Sequence, residues 1–115
     1  MRVIVAGSRD FSDWEYVEEK LYSTFENRPV DTIVSGTAKG PDSHGIVWAE
    51  AEGITVMRFP ADWENKGRGA GFIRNAEMAE YSDALIAFWD GESKGTKHMI
   101  DTALKGKLEV HVYIV

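Results

Sequence analysis

The sequence predicts an α/β domain in which a five-stranded, mostly parallel sheet has helices on both of its faces. Short apolar runs rich in β-branched residues alternate along the chain with longer segments of helical periodicity. Most of the apolar runs end in turns that contain glycine or proline. Right-handed crossovers and short connections then favour a Rossmann-like, doubly wound sheet with the strand order 3-2-1-4-5. The switch point of such a sheet lies between its first and fourth strands.

The first strand is predicted at residues 2–6, because an unbroken apolar run is typical of a strand buried on both faces. Ser12 is predicted to cap the first helix, since Glu15 three residues later completes a capping box. That helix is expected to end at about Glu26, before a proline. The residues expected to face the core recur at helical spacing: Trp14, Val17, Leu21 and Phe25.

The same strand–turn–helix pattern then repeats. A strand at 31–34 precedes a helix at about 41–52, which Pro41 opens and Gly53 ends. A third strand follows at 54–59. The residues of the second helix expected to pack are Ile46, Val47 and 49–51.

The second half of the chain begins with an irregular stretch at 61–71 that contains three glycines and has no clear period. A loop of that length in a small domain is more often functional than not. Two further helices are predicted at 72–81 and 97–104, and two further strands at 84–89 and 108–115.

The length and composition limit the class of protein. Residues 1–115 are predicted to form a single domain, and 43% hydrophobic and 28% charged residues are ordinary for a soluble one. The net charge of −6 argues against binding to nucleic acid. The first apolar run is too short for a signal peptide or a membrane span, so no membrane partner is expected. The absence of cysteine fits a reducing cytosol, and a cytoplasmic location is predicted.

Three glycine-containing loops, at 7–10, 35–40 and 90–96, follow predicted strands. In a parallel sheet such loops emerge at one edge, where ligands bind. A glycine loop that leads into a helix N-terminus presents unpaired N–H groups to a phosphate. A tight turn without a ligand is the alternative for each loop alone, so the prediction of a binding site rests on their coincidence.

Arginines accompany these loops. Arg9 lies in the first loop, and Arg68 and Arg74 lie before and within the third helix. Guanidinium groups suit bidentate contacts with phosphate. A cation near a helix N-terminus opposes the macrodipole, so Arg74 favours a nearby anion, whereas Arg68 is interpreted as a solvated loop charge. Lys39 could add to the positive field.

Asp42 and Trp63 each have two interpretations. Asp42 lies in the first turn of the second helix, where the dipole favours a carboxylate, and it could instead accept a hydrogen bond from a ribose hydroxyl. Trp63 could stack on a base or anchor the loop as an apolar contact. The three histidines have no spacing typical of a metal site, and no nucleophile motif occurs, so neither a metal nor a cofactor is predicted.

The combination of motifs resembles the SLOG superfamily, and most closely its YspA-related branch of small, uncharacterised single-domain proteins found in bacterial and phage genomes. The matching segments cover nearly the whole chain: Gly7-Ser8-Arg9, Ser35-Gly36-x-Ala38-x-Gly40-x-Asp42, Ala61-Asp62-Trp63, Ala70-Gly71-x-Ile73-Arg74-Asn75-x-x-Met78, and Gly95-Thr96. The resemblance implies a Rossmann-like domain that binds nucleotides or nucleotide-derived signals, such as relatives of ADP-ribose. A homodimer formed through helix faces is a further expectation, and it rests on this resemblance alone.

One branch of that superfamily, the Lonely Guy phosphoribohydrolases, cleaves the base from a nucleoside monophosphate. Its arginine is similar to Arg74, and its glycine-rich loop is similar to 91–96. Its catalytic glutamate has no counterpart, because the corresponding positions are Lys97, His98 and Met99. The oxocarbenium-like transition state needs a nearby carboxylate, which leaves Asp101 and Glu92 as weak catalytic candidates.

The leading hypothesis is a module that binds a nucleotide-type ligand, as sensor or sequestering protein, at the carboxyl edge of the sheet. An N-glycosidic-bond hydrolase and a protein-interaction domain with a degenerate pocket are the alternatives. In the leading hypothesis the two later loops hold phosphate, the arginines pair with it, Asp42 accepts from a sugar hydroxyl and Trp63 covers the base. The predicted ligand-binding residues are Gly7, Ser8, Arg9, Ser35, Gly36, Ala38, Gly40, Asp42, Trp63, Arg74, Asn75, Gly91, Gly95 and Thr96.

Overall fold

The computed structural model describes residues 1–115 and contains five strands and five helices. The strands are β1 (Arg2–Gly7), β2 (Thr32–Ser35), β3 (Thr55–Arg58), β4 (Ala84–Trp89) and β5 (Glu109–Ile114). The helices are α1 (Trp14–Thr24), α2 (Pro41–Ala51), α3 (Trp63–Lys66), α4 (Ala70–Tyr81) and α5 (Lys94–Lys105). A single 3-10 turn, Gly67–Gly69, joins α3 to α4. None of these helices has the length and apolar character needed to cross a bilayer.

The sheet has the predicted strand order, β3-β2-β1-β4-β5, and all four strand pairs are parallel. β1 is central: Val3 is in register with Ile33 on one side and with Ala84 on the other. The Rossmann-like fold class is therefore confirmed. The order also fixes the edge at which the turns after β1, β2 and β4 meet.

Side chains of β1 alternate between two apolar cores, one on each face of the sheet. Val3 and Val5 join the core beneath α1 and α2, while Ile4 and Ala6 join the core beneath α4 and α5. Both cores contain fully buried aliphatic side chains from the sheet and helices. Because helices cover both faces of the sheet, its carboxyl edge is the usual place for a ligand in this fold class.

The predicted start of α1 is wrong by one residue. Asp13, not Ser12, is the N-cap, and its side chain accepts a hydrogen bond from the backbone N–H of Tyr16 at 3.1 Å. The helix ends at Thr24 rather than at about Glu26. Serine and aspartate are both good N-caps, so residue type alone does not select between these two positions.

Three apolar residues predicted to pack, Trp14, Val47 and Ala51, are exposed instead. Trp14 is 37% exposed with its ring edge against His44, and Val47 is half exposed. Trp48, which the apolar pattern of α2 did not single out, is buried in its place. The direction of the helical stripe is set by how α1 and α2 lie on the sheet, and the sequence leaves that angle open.

The stretch at 61–71, predicted to be irregular, is largely helical. Asp62 caps α3, and α4 begins at Ala70 rather than at about Phe72. α5 likewise begins at Lys94 with Ser93 as its N-cap, so Gly95 lies inside the helix and not in a preceding turn. These two helix starts were predicted too late because glycine, which occurs in both first turns, has a low helix propensity.

Candidate functional site

A cavity of about 680 Å³ lies at the carboxyl edge of the sheet. Its walls come from the turns after β1, β2 and β3, from the 3-10 turn and from the first turns of α4 and α5. This is the edge at which doubly wound sheets bind ligands. The volume lies within the usual range for a small-molecule site, about 300–1,000 Å³.

Ten of the predicted ligand-binding residues line this cavity: Gly7, Arg9, Gly36, Ala38, Asp42, Trp63, Arg74, Asn75, Gly95 and Thr96. They come from five separate segments of the chain, and the fold brings them together. Arg9 and Arg74, which are 65 positions apart in the numbering, share the same cavity.

Two predicted serines do not line the cavity, because their hydroxyls are used within the protein. Ser8 Oγ accepts a hydrogen bond from the backbone N–H of Asp90 at 3.0 Å, which ties the turn after β1 to the turn after β4. Ser35 Oγ donates to the carbonyl oxygen of Asp42 at 3.1 Å. Both side chains are buried, and both hold the shape of loops that do line the cavity.

Gly40 and Gly91 also lie outside the cavity lining. Each has a positive φ, 84° and 83°, which is the left-handed region that favours glycine. A Cβ on Gly40 would lie 2.9 Å from the carbonyl oxygen of Ser8, so this glycine also permits two loops to meet. Nothing lies within 4 Å of such an atom on Gly91. The contribution of both residues is to backbone conformation.

Arg74 extends from the second turn of α4 to the loop after β2. Its Nη1 donates to the carbonyl oxygen of Gly36 at 2.6 Å, and its Nε donates to Oδ1 of Asn75 at 3.0 Å. A Cβ on Gly36 would lie 2.6 Å from Nη1 of Arg74 and 3.0 Å from Oδ2 of Asp42. Gly36 therefore lies between a guanidinium and a carboxylate, and only glycine leaves room for both.

Asp42 is only 5% exposed although it lies in a cavity wall. Burial raises the pKa of its carboxyl group to about 7, while the positive charge of Arg74 and backbone N–H groups, including that of Ala38, act in the opposite direction. The backbone N–H of Ala38 lies 3.4 Å from Oδ2. Near neutral pH the protonated form of this carboxyl is therefore substantially populated, and the negative charge in the cavity is reduced.

Three cations that line the cavity have no partner in the protein. Arg9, Lys39 and Arg68 form no ion pair and no side-chain hydrogen bond, and Asp42 is the single acidic residue in the lining. Elsewhere several cations are paired with carboxylates at short distances, as Arg28 is with Glu109 at 2.6 Å. Arg68, which was interpreted from the sequence as a solvated loop charge, therefore lines the same cavity as the predicted Arg9 and Arg74.

Aromatic side chains frame the mouth of the cavity. Trp63 is 60% exposed, and its ring packs close to Gly71 in the first turn of α4. Phe72, which the sequence did not single out, is 48% exposed and also lines the cavity. Its ring stacks on that of His98 with centroids 4.0 Å apart.

Several further lining residues were not among the predicted ligand-binding residues: Thr37, Pro60, Gly71, Met78, Ser93 and Met99. Of these, Gly71 and Met78 do belong to the segments that resemble the SLOG superfamily. Apolar periodicity gave no signal for the two methionines, because a buried apolar residue on a helix has the same pattern whether it faces a core or a cavity. Phe72 did carry one, since it directly follows the glycine-rich loop that was predicted to be functional.

The two weak catalytic candidates lie outside the cavity. Asp101 is exposed on α5, where its Oδ2 accepts a hydrogen bond from Lys97 Nζ at 2.7 Å. Glu92 is exposed in the turn before α5, and its backbone N–H donates to Oδ1 of Asp90 at 2.8 Å. Among the three positions that correspond to the family's glutamate, Met99 faces the cavity, so α5 supplies no carboxylate there.

A second, shallow groove of about 760 Å³ lies between the C-terminal ends of α1 and α2. It contains none of the predicted site residues, and acidic side chains such as Glu19 and Glu52 line it. Its position away from the carboxyl edge of the sheet separates it from the glycine loops. The smaller cavity is therefore the candidate functional site.

Comparison with known proteins places this geometry in a family. The model of the YspA, cpYpsA-related SLOG family (YAcAr) matches residues 1–65. The chain is 34% identical to the Gene 61 protein of Mycobacterium phage D29, over 95% of this chain and 93% of that protein. It also superposes on the X-ray structure of DNA processing protein A (DprA) from Streptococcus pneumoniae with a TM-score of 0.74.

The likeness to DprA covers 96% of this chain and 49% of that one, at 18% identity, and shows the fold alone. The sequence relationship carries the assignment, because both the family match and the phage relative include the loops after β1 and β2. The chain therefore belongs to the YspA, cpYpsA-related SLOG family.

Proposed function

We propose that the protein binds a nucleotide or nucleotide-derived ligand in the cavity at the carboxyl edge of the sheet. Membership of the SLOG family suggests a nucleotide-related function in broad terms. The observation that carries the narrower proposal is the set of three unpartnered cations, Arg9, Lys39 and Arg68, around one cavity. In a chain of net charge −6, carboxylates are abundant, yet none is paired with these groups.

Unpaired cations beside backbone N–H groups favour an anion with several oxygen atoms. Phosphate satisfies that requirement, since guanidinium groups bind it through paired N–H donors. The loop at 36–40 and the first turn of α5 add helix N-terminal backbone to the same cavity. We infer that the phosphate lies between these two helix starts, with Arg9 as a direct charge partner.

Arg74 has a second task in this proposal. Its Nη1 already donates to Gly36, so it contributes charge and holds the loop in its binding shape. Asp42 lies next to this contact, where a carboxyl group can exchange hydrogen bonds with a sugar hydroxyl. Trp63, exposed at the mouth, supplies apolar surface for the rest of the ligand.

Isothermal titration calorimetry with a nucleotide panel tests the proposal. The panel contains mononucleotides, cyclic nucleotides, ADP and ADP-ribose, each measured against the wild-type protein and an Arg9→Gln/Arg68→Gln variant. We expect at least one compound to bind the wild type, and the variant to bind it at least about tenfold more weakly, because two charge-assisted contacts are lost.

The matched control is a Lys105→Gln/Lys107→Gln variant. It changes the net charge by the same amount, and both lysines are exposed, unpaired and outside the cavity. Its affinity should equal that of the wild type. Absence of binding by every compound, or equal weakening in both variants, would contradict the proposal.

A further inference from the structure

We propose that the ligand carries a planar heteroaromatic ring that stacks on the free face of Phe72, with His98 as the residue that positions the phenyl ring. This inference rests on the proposed function and deepens it. Neither residue belongs to the motifs that predicted the site. Stacking at Phe72 specifies the organic part of the ligand, whereas the cationic loops specify only its anionic part.

The geometry of Phe72 has two sides. One face of the ring is covered by the His98 imidazole, which lies parallel to it within 10° and with 4.0 Å between the centroids. The residue is nevertheless 48% exposed and lines the cavity. From these three observations we infer that the second face is turned to the cavity, where an aromatic face offers a stacking surface to a planar ring.

His98 is fixed by hydrogen bonds at the edge of its ring. Its Nδ1 lies 3.1 Å from Nδ2 of Asn75, which also donates to the carbonyl oxygen of Gly95 at 3.3 Å. Its Nε2 lies 3.5 Å from Oγ1 of Thr102. Burial lowers the pKa of His98, which favours the neutral imidazole that can accept at Nδ1.

These contacts join the stacking surface to the anion site. Asn75 Oδ1 accepts from Nε of Arg74, and Arg74 donates onward to the carbonyl oxygen of Gly36. The orientation of Phe72 is thus set by the same network that shapes the loop after β2. A ligand with an anionic group at the loop and a ring at Phe72 would contact both ends of this network, as a nucleotide does.

Trp63 supports the assignment of a ring to this end of the cavity. Its six-membered ring lies next to Gly71, where a Cβ would be 3.3 Å from Cη2, so it lies beside the same turn of α4 as Phe72. Two exposed aromatic residues on one cavity rim provide apolar, planar surface. Of the unpaired cations, Arg9 and Lys39 lie in the loops after β1 and β2, whereas Arg68 lies between the two aromatic residues in the chain, so the same cavity combines apolar and charged surface.

The test compares ligands that differ only in the ring. Calorimetry measures the affinities of AMP, GMP, CMP, UMP and ADP-ribose, and of ribose 5-phosphate, which has the sugar phosphate and no base. In the wild type at least one ring-bearing compound should bind at least about fivefold more tightly than ribose 5-phosphate, since stacking of a base on an aromatic side chain contributes favourably to binding.

Variants then assign that advantage to the two residues. Phe72→Leu should remove most of it and leave ribose 5-phosphate unchanged, and Phe72→Tyr should keep it. His98→Ala should reduce it, and His98→Phe should restore it by returning a stacked ring. Ile73→Ala is the matched control, because Ile73 is the next residue on α4, 41% exposed and outside the cavity lining.

The outcomes separate the two proposals. If ribose 5-phosphate binds the wild type as tightly as the ring-bearing compounds, or if Phe72→Leu binds them with unchanged affinity, ring recognition at Phe72 is overturned and the anion site remains. If none of the six compounds binds, ring recognition at Phe72 is overturned, and if the wider nucleotide panel also gives no binding, the proposed anion site is overturned as well. Equal losses in Phe72→Leu and Ile73→Ala would assign the effect to general packing of α4, which also overturns this inference.

Discussion

Arg74 Nη1 lies 2.6 Å from the carbonyl oxygen of Gly36, although the two residues belong to different layers of the fold. The contact joins α4 to the loop after β2 through the cavity wall. Nη1 of Arg74 and Oδ2 of Asp42 would lie within 3.0 Å of a Cβ on Gly36. The shape of the candidate site thus depends on a missing side chain as much as on the charged ones.

A Gly36→Ala substitution should disturb this arrangement. The new methyl group would be 2.6 Å from Nη1, so the guanidinium has to move and its hydrogen bond to the carbonyl weakens. We expect the free energy of unfolding to fall by about 1.5–3 kcal/mol, the range for a hydrogen bond that involves a charged group. Urea denaturation measures the change.

Gly95→Ala serves as the control for that experiment. Gly95 lies within α5, and nothing lies within 4 Å of the added Cβ. Alanine has the higher helix propensity, so stability should be unchanged or rise by up to about 1 kcal/mol. Equal stability of Gly36→Ala and the wild type would mean that the Arg74 contact contributes nothing in solution.

Asp42 should make stability depend on pH in a direction opposite to that of an ordinary ion-paired carboxylate. Its folded-state pKa of about 7 exceeds the unfolded value, so between about pH 4 and pH 7 the folded state holds a proton that the unfolded state has released. The free energy of unfolding therefore decreases as the pH rises through this range and is constant above it. Asp42→Asn should abolish this component.

The measurement is urea denaturation of the wild type and Asp42→Asn at pH 5 and at pH 8. The stability of the variant relative to the wild type should be higher at pH 8 than at pH 5, by at most about 3 kcal/mol over this interval. The other titrating groups are common to both proteins and cancel in the comparison. A relative stability that is the same at the two pH values would place the pKa of Asp42 near its usual range.

The corrected N-cap of α1 can be tested in the same way. Asp13→Ala should lower the free energy of unfolding by about 1 kcal/mol, because the bond to the backbone N–H of Tyr16 is lost. Asp13→Ser should retain most of the stability. Ser12→Ala should have almost no effect on the free energy of unfolding. A larger loss of stability for Ser12→Ala than for Asp13→Ala would show that Ser12 is the N-cap, as the sequence predicted.

The fold was predictable because its signals are local and repeated. Strands buried on both faces are apolar without alternation, as in β1 and β4, and each is followed by a turn and a helix. Element boundaries were less accurate. Helix starts at Ala70 and Lys94 came earlier than predicted, since neighbouring glycines hide a helix whose stability comes from packing on the sheet.

The candidate site was predictable to the extent that its residues lie in turns after strands. The common edge of a parallel sheet brings such turns together, which is why Arg9, Gly36 and Asp42 were found. Phe72 and His98 were missed, because their relevance arises from a stacking contact across 26 positions of chain. Three statements remain predictions: that these residues bind a ligand, that the protein is cytoplasmic and that it forms a homodimer.

The sequence by itself determined the order of strands and helices, because periodicity and turn residues act over a few neighbouring positions. That order also determined the edge of the sheet at which the loops lie together, since all loops after parallel strands emerge at the same edge. Only the tertiary structure decided which side chains of those loops are free. Arg74 is bonded to Gly36 while Arg9 and Arg68 have no partner, although all three are arginines within three residues of a glycine. Partner choice depends on distances between segments far apart in the chain, and those distances exist only after the helices have packed on the sheet.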